Sequence, residues 1–195
     1  MSPDKPARYL VHTSALPLSA LEHRPHPIDS SNHRYQVSLG DSTGLTKVGV
    51  HFCRLPAGAT STTLHWHSHE DEWFYILEAG EDARLLVWEP GERERTDGKV
   101  VMEEGEEIIP REEAVQAGDF IGFKAGIQRA HALRAGEREM TYLVGGSREE
   151  LDVSHYPASG RRMVISSAAG GVSWMVEDNA IEPSGRKSPR PIVES

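Results

Sequence analysis

Three histidines at alternate positions, His65, His67 and His69, are the part of the sequence best suited to carry out chemistry. In a β-strand, alternate side chains point to the same face, so the three imidazoles would lie side by side. Neutral imidazole is the commonest side-chain ligand of metal ions, and three imidazoles are costly to bury in a dry core. The spacing therefore indicates a metal site, and a solvent-exposed strand with idle histidines is the alternative.

Carboxylates follow the histidines directly, at Glu70, Asp71 and Glu72. If the intervening residues form a turn, Glu72 returns to the strand face that His65 and His67 occupy. Glu72 could then add an oxygen ligand to the nitrogen ligands. Glu70 and Asp71 are expected to be exposed in the turn.

The elements that must position these residues are short strands. Alternating or apolar runs between glycine-rich turns predict strands near residues 47–55, 73–77, 84–88, 119–123, 131–133 and 140–144. The absence of a long amphipathic helix between these runs favours an antiparallel sandwich or barrel. The acidic stretch 89–113 is predicted to be an exposed insertion within this domain.

The two ends of the chain differ from its centre. Residues 1–44 contain several prolines among mostly polar positions, which predicts an N-terminal arm packed on the outside of the core. Residues 159–195 are predicted to form a peripheral C-terminal segment that ends in a mobile polar tail.

Composition limits the classes of partner. The chain has 195 residues with 21 basic and 30 acidic side chains, a formal net charge of −9, which argues against nucleic acid and anionic membranes as partners. Its apolar runs are too short to span a bilayer or to act as a secretory leader. The one cysteine, Cys53, cannot form an internal disulfide and is expected to be a small buried residue. These features predict one cytoplasmic domain.

The histidine run resembles the first metal-binding motif of the cupin superfamily. His65, His67 and Glu72 match its two histidines and its glutamate, and Gly58 and Gly80 lie one residue further out than its flanking glycines. The resemblance implies that these three side chains are metal ligands inside a jelly-roll barrel, the double-stranded β-helix of the cupins. The fold class we predict is therefore an all-β cupin barrel.

A second stretch, from Gly118 to His131, resembles the second cupin motif. The resemblance implies that His131 is the fourth metal ligand. The stretch departs from the family pattern at three points, because Lys124 replaces a proline, four residues rather than two separate Gly126 from His131, and Ala135 replaces an asparagine.

Over about residues 45–158 the chain is most similar to the small single-domain cupins of the second cupin subtype. This resemblance implies a divalent transition metal such as Fe, Mn, Ni or Zn, held by three imidazoles and one carboxylate with room left for a substrate. It also implies a homodimer whose partner covers exposed strand edges.

Strand alternation predicts the surroundings of the ligands. Phe74 and Ile76 share the face of Glu72 and are expected to line the cavity wall, whereas core or interface packing is expected for the aromatic residues that face away, Trp66, Trp73 and Tyr75. His69 is expected in the turn near the rim rather than among the ligands.

Arg129 shares the strand face of His131. It is a candidate to bind an anionic group of the substrate, and an exposed arginine near a strand end is the alternative.

Three functions remain open from the sequence. The first is a metal-dependent enzyme that acts on a small organic molecule, with an oxygenase as the leading reaction. The second is a lyase, decarboxylase or isomerase in which the metal acts as a Lewis acid. The third is a non-catalytic module that binds a small ligand.

Overall fold

The computed structural model of the chain describes residues 9–91, 95–96, 99–100, 107–167 and 171–181. Within these residues the strands are β1 (Glu22–Pro25), β2 (His33–Ser38), β3 (Val48–Leu55), β4 (Trp66–His67), β5 (Glu72–Glu78), β6 (Arg84–Trp88), β7 (Arg95–Thr96), β8 (Lys99–Val100), β9 (Arg111–Ala114), β10 (Phe120–Phe123), β11 (Ala130–Arg134), β12 (Met140–Ser147), β13 (Leu151–Tyr156), β14 (Arg161–Ser166) and β15 (Val172–Glu177).

The helices of the described residues are short. The α-helix α1 (Leu39–Thr43) is capped by the Ser38 side chain, and the 3-10 turns are Thr13–Ala15, Leu18–Ala20, Pro157–Ser159 and Asp178–Ala180. None of these helices has the length and apolar character needed to cross a membrane.

The strands form antiparallel sheets. The largest has six strands in the order β1-β2-β3-β12-β5-β10, a second has the order β11-β6-β9, and a third has the order β15-β14-β13-β4. The short strands β7 and β8 pair with each other. The all-β fold predicted from the strand and turn pattern is confirmed.

The core lies between the six-stranded and the three-stranded sheets. Alternate side chains of the central strands point inward, and Leu55, Ile76 and Met140 are fully buried against Leu85 and Leu133 of the facing sheet. Burial of each such side chain stabilises the fold by about 1.5–3 kcal/mol. Cys53 is also fully buried in this core and forms no disulfide.

The structure extends the strand pattern beyond the predicted runs. Part of the predicted arm, residues 22–38, adds β1 and β2 to the edge of the six-stranded sheet, and β9, which begins near the end of the predicted acidic insertion, pairs with β6. Residues 92–94, 97–98 and 101–106 of that insertion, the first eight residues, and the predicted mobile tail from 182 onward lie outside the described residues.

Candidate metal centre

Three segments bring the predicted ligands together. His67 lies in β4, Glu72 begins β5, and His131 lies in β11. His65 precedes β4 and forms an isolated antiparallel bridge with His131, in which the backbone N–H of His131 donates to the carbonyl of His65 at 2.9 Å. This bridge holds the two predicted motifs next to each other.

The side chains converge on one carboxylate oxygen. Glu72 Oε2 lies 3.8 Å from His65 Nε2, 3.8 Å from His67 Nε2 and 2.6 Å from His131 Nε2. His65, His67 and Glu72 each offer a donor atom within 4.8 Å of the other two, which is close enough for one ion to contact all three. Histidine nitrogens and carboxylate oxygens are the usual ligands of first-row transition metals, so the donor set fits such an ion.

Hydrogen bonds at Nδ1 orient the imidazoles. The Nδ1 atom of His65 lies 3.0 Å from the Thr63 carbonyl, and that of His131 lies 3.1 Å from the Arg129 carbonyl. Because a carbonyl can only accept, both Nδ1 atoms carry the proton, which directs the Nε2 side of each ring toward Glu72. This is the ring orientation that metal coordination through Nε2 requires.

The short contact between His131 and Glu72 holds one proton. The two atoms lie 2.6 Å apart, and His131 already uses its Nδ1 proton elsewhere. Burial alone would raise the pKa of Glu72, but the hydrogen bond to His131 and the charges of the three histidines lower this pKa well below its usual range. A cation that binds here would displace the shared proton.

Asp152 of β13 orients the remaining imidazole. Its Oδ2 lies 2.6 Å from His67 Nδ1, and its Oδ1 accepts the backbone N–H of His69 at 2.9 Å and of Glu70 at 3.2 Å. Burial raises the pKa of Asp152, but the hydrogen bond and charge of His67 together with the backbone N–H groups of His69 and Glu70 outweigh it, so the pKa falls to about 2. The charged carboxylate thus fixes His67 and shapes the turn before Glu72. Sequence reasoning missed this residue.

A cavity of about 610 Å³ opens above the donor atoms. Its floor includes His65, His67 and Glu72, its walls include Phe74, Tyr142 and Tyr156, and its rim is built by residues 22–27 of β1 and its following turn and by Met163, Ile165 and Ser173 of the C-terminal sheet. This volume is within the range of small-molecule sites.

Apolar rings surround His131. Phe123 stacks on its imidazole with ring centroids 3.6 Å apart and an interplanar angle of 7°, and Phe74 meets the same ring edge-on at 5.7 Å. Phe74 lines the cavity as predicted, whereas Ile76 is fully buried in the core and does not line it. The rings exclude water from one side of the candidate centre.

Residues predicted to lie off the centre do so. The side chain of His69 is 56% exposed, and its closest contact to Asp152 is 4.0 Å. Trp66 is buried and stacks on His155 with ring centroids 3.8 Å apart. Trp73 stacks on Phe120 on the outer side of the sheet.

The predicted anion-binding candidate, Arg129, does not line the cavity among the described residues. Its side chain is 46% exposed and forms a short ion pair with Glu89. The arginine that does line the cavity is Arg34 of β2. It comes from the segment predicted as an arm, where nothing in the sequence distinguishes it from a surface arginine.

Of the comparisons with known proteins, the search of solved structures found matches to this chain. No protein-family model matches the chain. No curated protein matches it either.

One matching structure is an Acidithiobacillus ferrooxidans protein named as a candidate sugar phosphate isomerase, with 25% identity, a TM-score of 0.68, and coverage of 89% of this chain and 95% of that one. Another is a cupin-superfamily sugar phosphate isomerase from Silicibacter pomeroyi, with 23% identity, a TM-score of 0.61, and coverage of 85% of this chain and 93% of that one. The cupin fold predicted from the two histidine motifs is thus confirmed, because this chain has the fold of a solved cupin-superfamily structure.

Proposed function

We propose that this chain is a metal-dependent enzyme in which His65, His67, Glu72 and His131 hold a divalent transition metal. The observation that carries the proposal is the convergence of three imidazole Nε2 atoms on the Glu72 carboxylate at the floor of a 610 Å³ cavity. A structural metal site closes all its coordination positions with protein ligands, whereas this cluster faces a space large enough for a substrate.

The reaction we propose is an isomerisation by proton transfer next to a carbonyl group. The support is the 25% identical structure named as a candidate sugar phosphate isomerase, which matches this chain over 89% of its length. A bound divalent metal would supply Lewis acidity, which polarises a carbonyl and acidifies the neighbouring C–H bond.

The residues of the chain have distinct tasks in this proposal. Asp152 keeps His67 in the orientation that the site needs. Phe74 and Phe123 exclude water from the side of His131. Burial raises the pKa of Tyr156 to about 12, so its phenol stays protonated at neutral pH and can donate a hydrogen bond into the cavity that it lines.

The test begins with metal content. The parent protein, prepared without chelators, is expected to contain about one metal ion per chain, whereas His67→Ala is expected to lose it. His69→Ala is the matched control, because His69 lies two residues away with an exposed side chain and should leave metal content unchanged. Equal metal content in parent and His67→Ala would contradict the ligand assignment.

The reaction class is tested by isotope exchange. Metal-loaded parent in D2O under nitrogen is expected to incorporate deuterium next to the carbonyl group of three- to six-carbon aldose or ketose phosphates, as followed by NMR. His67→Ala should not exchange. Metal-loaded parent that exchanges none of these compounds would contradict the isomerase proposal.

An oxygenase, the leading reaction predicted from the sequence, is the second candidate. The apolar rings of Phe74 and Phe123 beside His131 favour it, because a dry wall suits a site that binds O2. Oxygen uptake with chelating enols, phenols or keto acids distinguishes it from an isomerase, which turns over without O2. A metal-free preparation that still binds small ligands would instead indicate a non-catalytic binding module.

We also propose that the chain forms a homodimer. Tyr75 and Phe120 are cross-strand partners at the edge strand β10, and they are 39% and 67% exposed. An apolar pair on a sheet edge favours coverage by another chain. Light scattering is expected to give twice the single-chain mass of 21.6 kDa, and the single-chain mass would contradict the proposal.

A further inference from the structure

Arg34 is a cation in the cavity wall whose hydrogen-bond acceptors are neutral groups. Its Nε donates to Gln36 Oε1 at 2.8 Å, and its Nη1 donates to the Ser61 carbonyl at 3.0 Å. No carboxylate within the described part of the chain forms an ion pair with it. Because an enclosed charge is costly without a counter-charge, such an arginine is normally paired with an anion.

The neighbouring strand β1 places a second positive charge beside Arg34. Arg24 of β1 lies directly opposite Arg34 in the antiparallel register, and like charges at opposite positions destabilise a strand pair. Arg24 is neutralised by Glu22 at 3.1 Å, and its side chain is 55% exposed. Arg34 has no ion pair of this kind among the described residues, and the charge of Glu72 acts on it without direct contact. An anion bound at Arg34 would offset both the burial of its charge and its repulsion from Arg24.

The position of Arg34 connects it to the candidate metal centre. Arg34 and Glu72 line the 610 Å³ cavity together, and both also line an adjoining cavity of about 260 Å³. A small molecule in this space can therefore meet the guanidinium at one end and the metal ligands at the other. The planar guanidinium presents parallel N–H donors that match the paired oxygens of a carboxylate or phosphate.

We infer that Arg34 binds an oxyanion group of the ligand, a carboxylate or a phosphate, and that the substrate is therefore a small organic anion. That the bound molecule is a substrate rests on the proposed function, whereas the anion site itself does not. Arg34 acts on the anionic end of the molecule, and the reacting end lies at the metal ligands.

The experiment compares three probes with the same three-carbon skeleton: glycerol 3-phosphate, glycerate and glycerol. Their dissociation constants are measured by calorimetry with metal-loaded and metal-free protein. The parent is expected to bind at least one of the two anions more tightly than glycerol, and which anion it prefers distinguishes phosphate from carboxylate. In Arg34→Gln, the affinity for that anion should fall about 10- to 100-fold, the size expected for a charge-assisted hydrogen-bond pair.

Arg54→Gln is the matched control, because Arg54 lies on the neighbouring strand β3, is paired with Glu139, and is not among the residues that line either cavity. Its anion affinity is expected to change less than about threefold. Arg34→Lys keeps the charge and should retain part of the affinity, which separates loss of anion binding from loss of folding. Melting curves of each variant check that the fold is intact.

Two results would overturn the inference. The first is a parent that binds neither anion more tightly than glycerol, and the second is a folded Arg34→Gln that binds the preferred anion as tightly as the parent. Anion binding that depends on Arg34 in a protein that takes up no metal would uphold the anion site and refute the metal-dependent function. The two proposals therefore fail separately.

Discussion

Replacement of Asp152 with asparagine is expected to weaken metal binding although it leaves the four proposed ligands in place. The carboxylate accepts from three donors at once: His67 Nδ1–H through Oδ2 and the backbone N–H groups of His69 and Glu70 through Oδ1. Asparagine has one acceptor oxygen. If that oxygen faces the backbone amides, its NH2 group faces His67 Nδ1 and drives the ring proton to Nε2, the nitrogen that should bind the metal.

The size of the effect follows from these contacts. Loss of a group that orients a metal-binding histidine costs about 10- to 100-fold in metal affinity. The folded protein also loses stability, because the pKa of Asp152 falls from 3.8 to about 2 on folding, which corresponds to about 2 kcal/mol in the metal-free protein. A carboxyl group whose pKa is lower in the folded than in the unfolded chain stabilises the fold at pH values above its unfolded pKa. The contribution of Asp152 to the free energy of unfolding is therefore full near pH 7 and disappears as the pH falls from about 4 to 2.

Competition with a coloured chelator measures the metal affinity of parent and Asp152→Asn at pH 7, and urea unfolding of the metal-free proteins measures stability. Asp178→Asn is the control, since Asp178 bonds to Arg162 at 2.6 Å on the C-terminal sheet. If Asp152→Asn folds and binds metal as tightly as the parent, Asp152 does not set the His67 tautomer, and the reasoning is refuted.

Three further predictions concern the ligands, the C-terminal sheet and the close approach of two strands. His67→Ala should abolish the rise in melting temperature that added metal gives the parent, and an undiminished rise would exclude His67 as a ligand. The parent is expected to lose about 3 kcal/mol of stability between pH 6.5 and 4, because burial lowers the pKa of His155 to about 3 and the unfolded chain therefore takes up a proton at a higher pH than the folded chain. His155→Gln should lack this loss, and identical pH profiles of the two proteins would contradict the prediction. Gly145→Ala should cost about 1–3 kcal/mol in chemical unfolding because its Cβ would lie 2.3 Å from the Trp73 ring, whereas Gly49→Ala, with nothing nearer than 3.7 Å, should be tolerated.

The ligand-bearing half of the molecule was predictable from sequence because its physical pattern is local. The alternation over 73–77 and 84–88 corresponds to β5 and β6, which begin at Glu72 and Arg84. The cluster His65, His67 and Glu72 is likewise compact in sequence: alternation places His65 and His67 on one face, and a turn in the residues that follow returns Glu72 to that face.

The strands that complete the cavity were not predictable, because their buried face is polar. In β13 the buried positions are Asp152, Ser154 and Tyr156, while Leu151 is exposed. In β2 the buried residue is Gln36, beside Arg34. Strand prediction assumes that the apolar face is the buried one, so a strand that faces a polar site has the reverse pattern. Asp152 also lies 85 residues from His67, and only the fold brings them together.

The floor and the rim of the cavity come from different parts of the chain, and this has an evolutionary consequence. The donor atoms lie on central segments of the chain, whereas the rim is built by the β1 hairpin near one end and by β14 and β15 near the other. Substitutions in these terminal strands can change the shape and charge of the entrance while the donor cluster stays intact. Related chains could therefore diverge in what they accept by remodelling their ends, and exchange of these terminal strands between homologues is a direct route to altered selectivity.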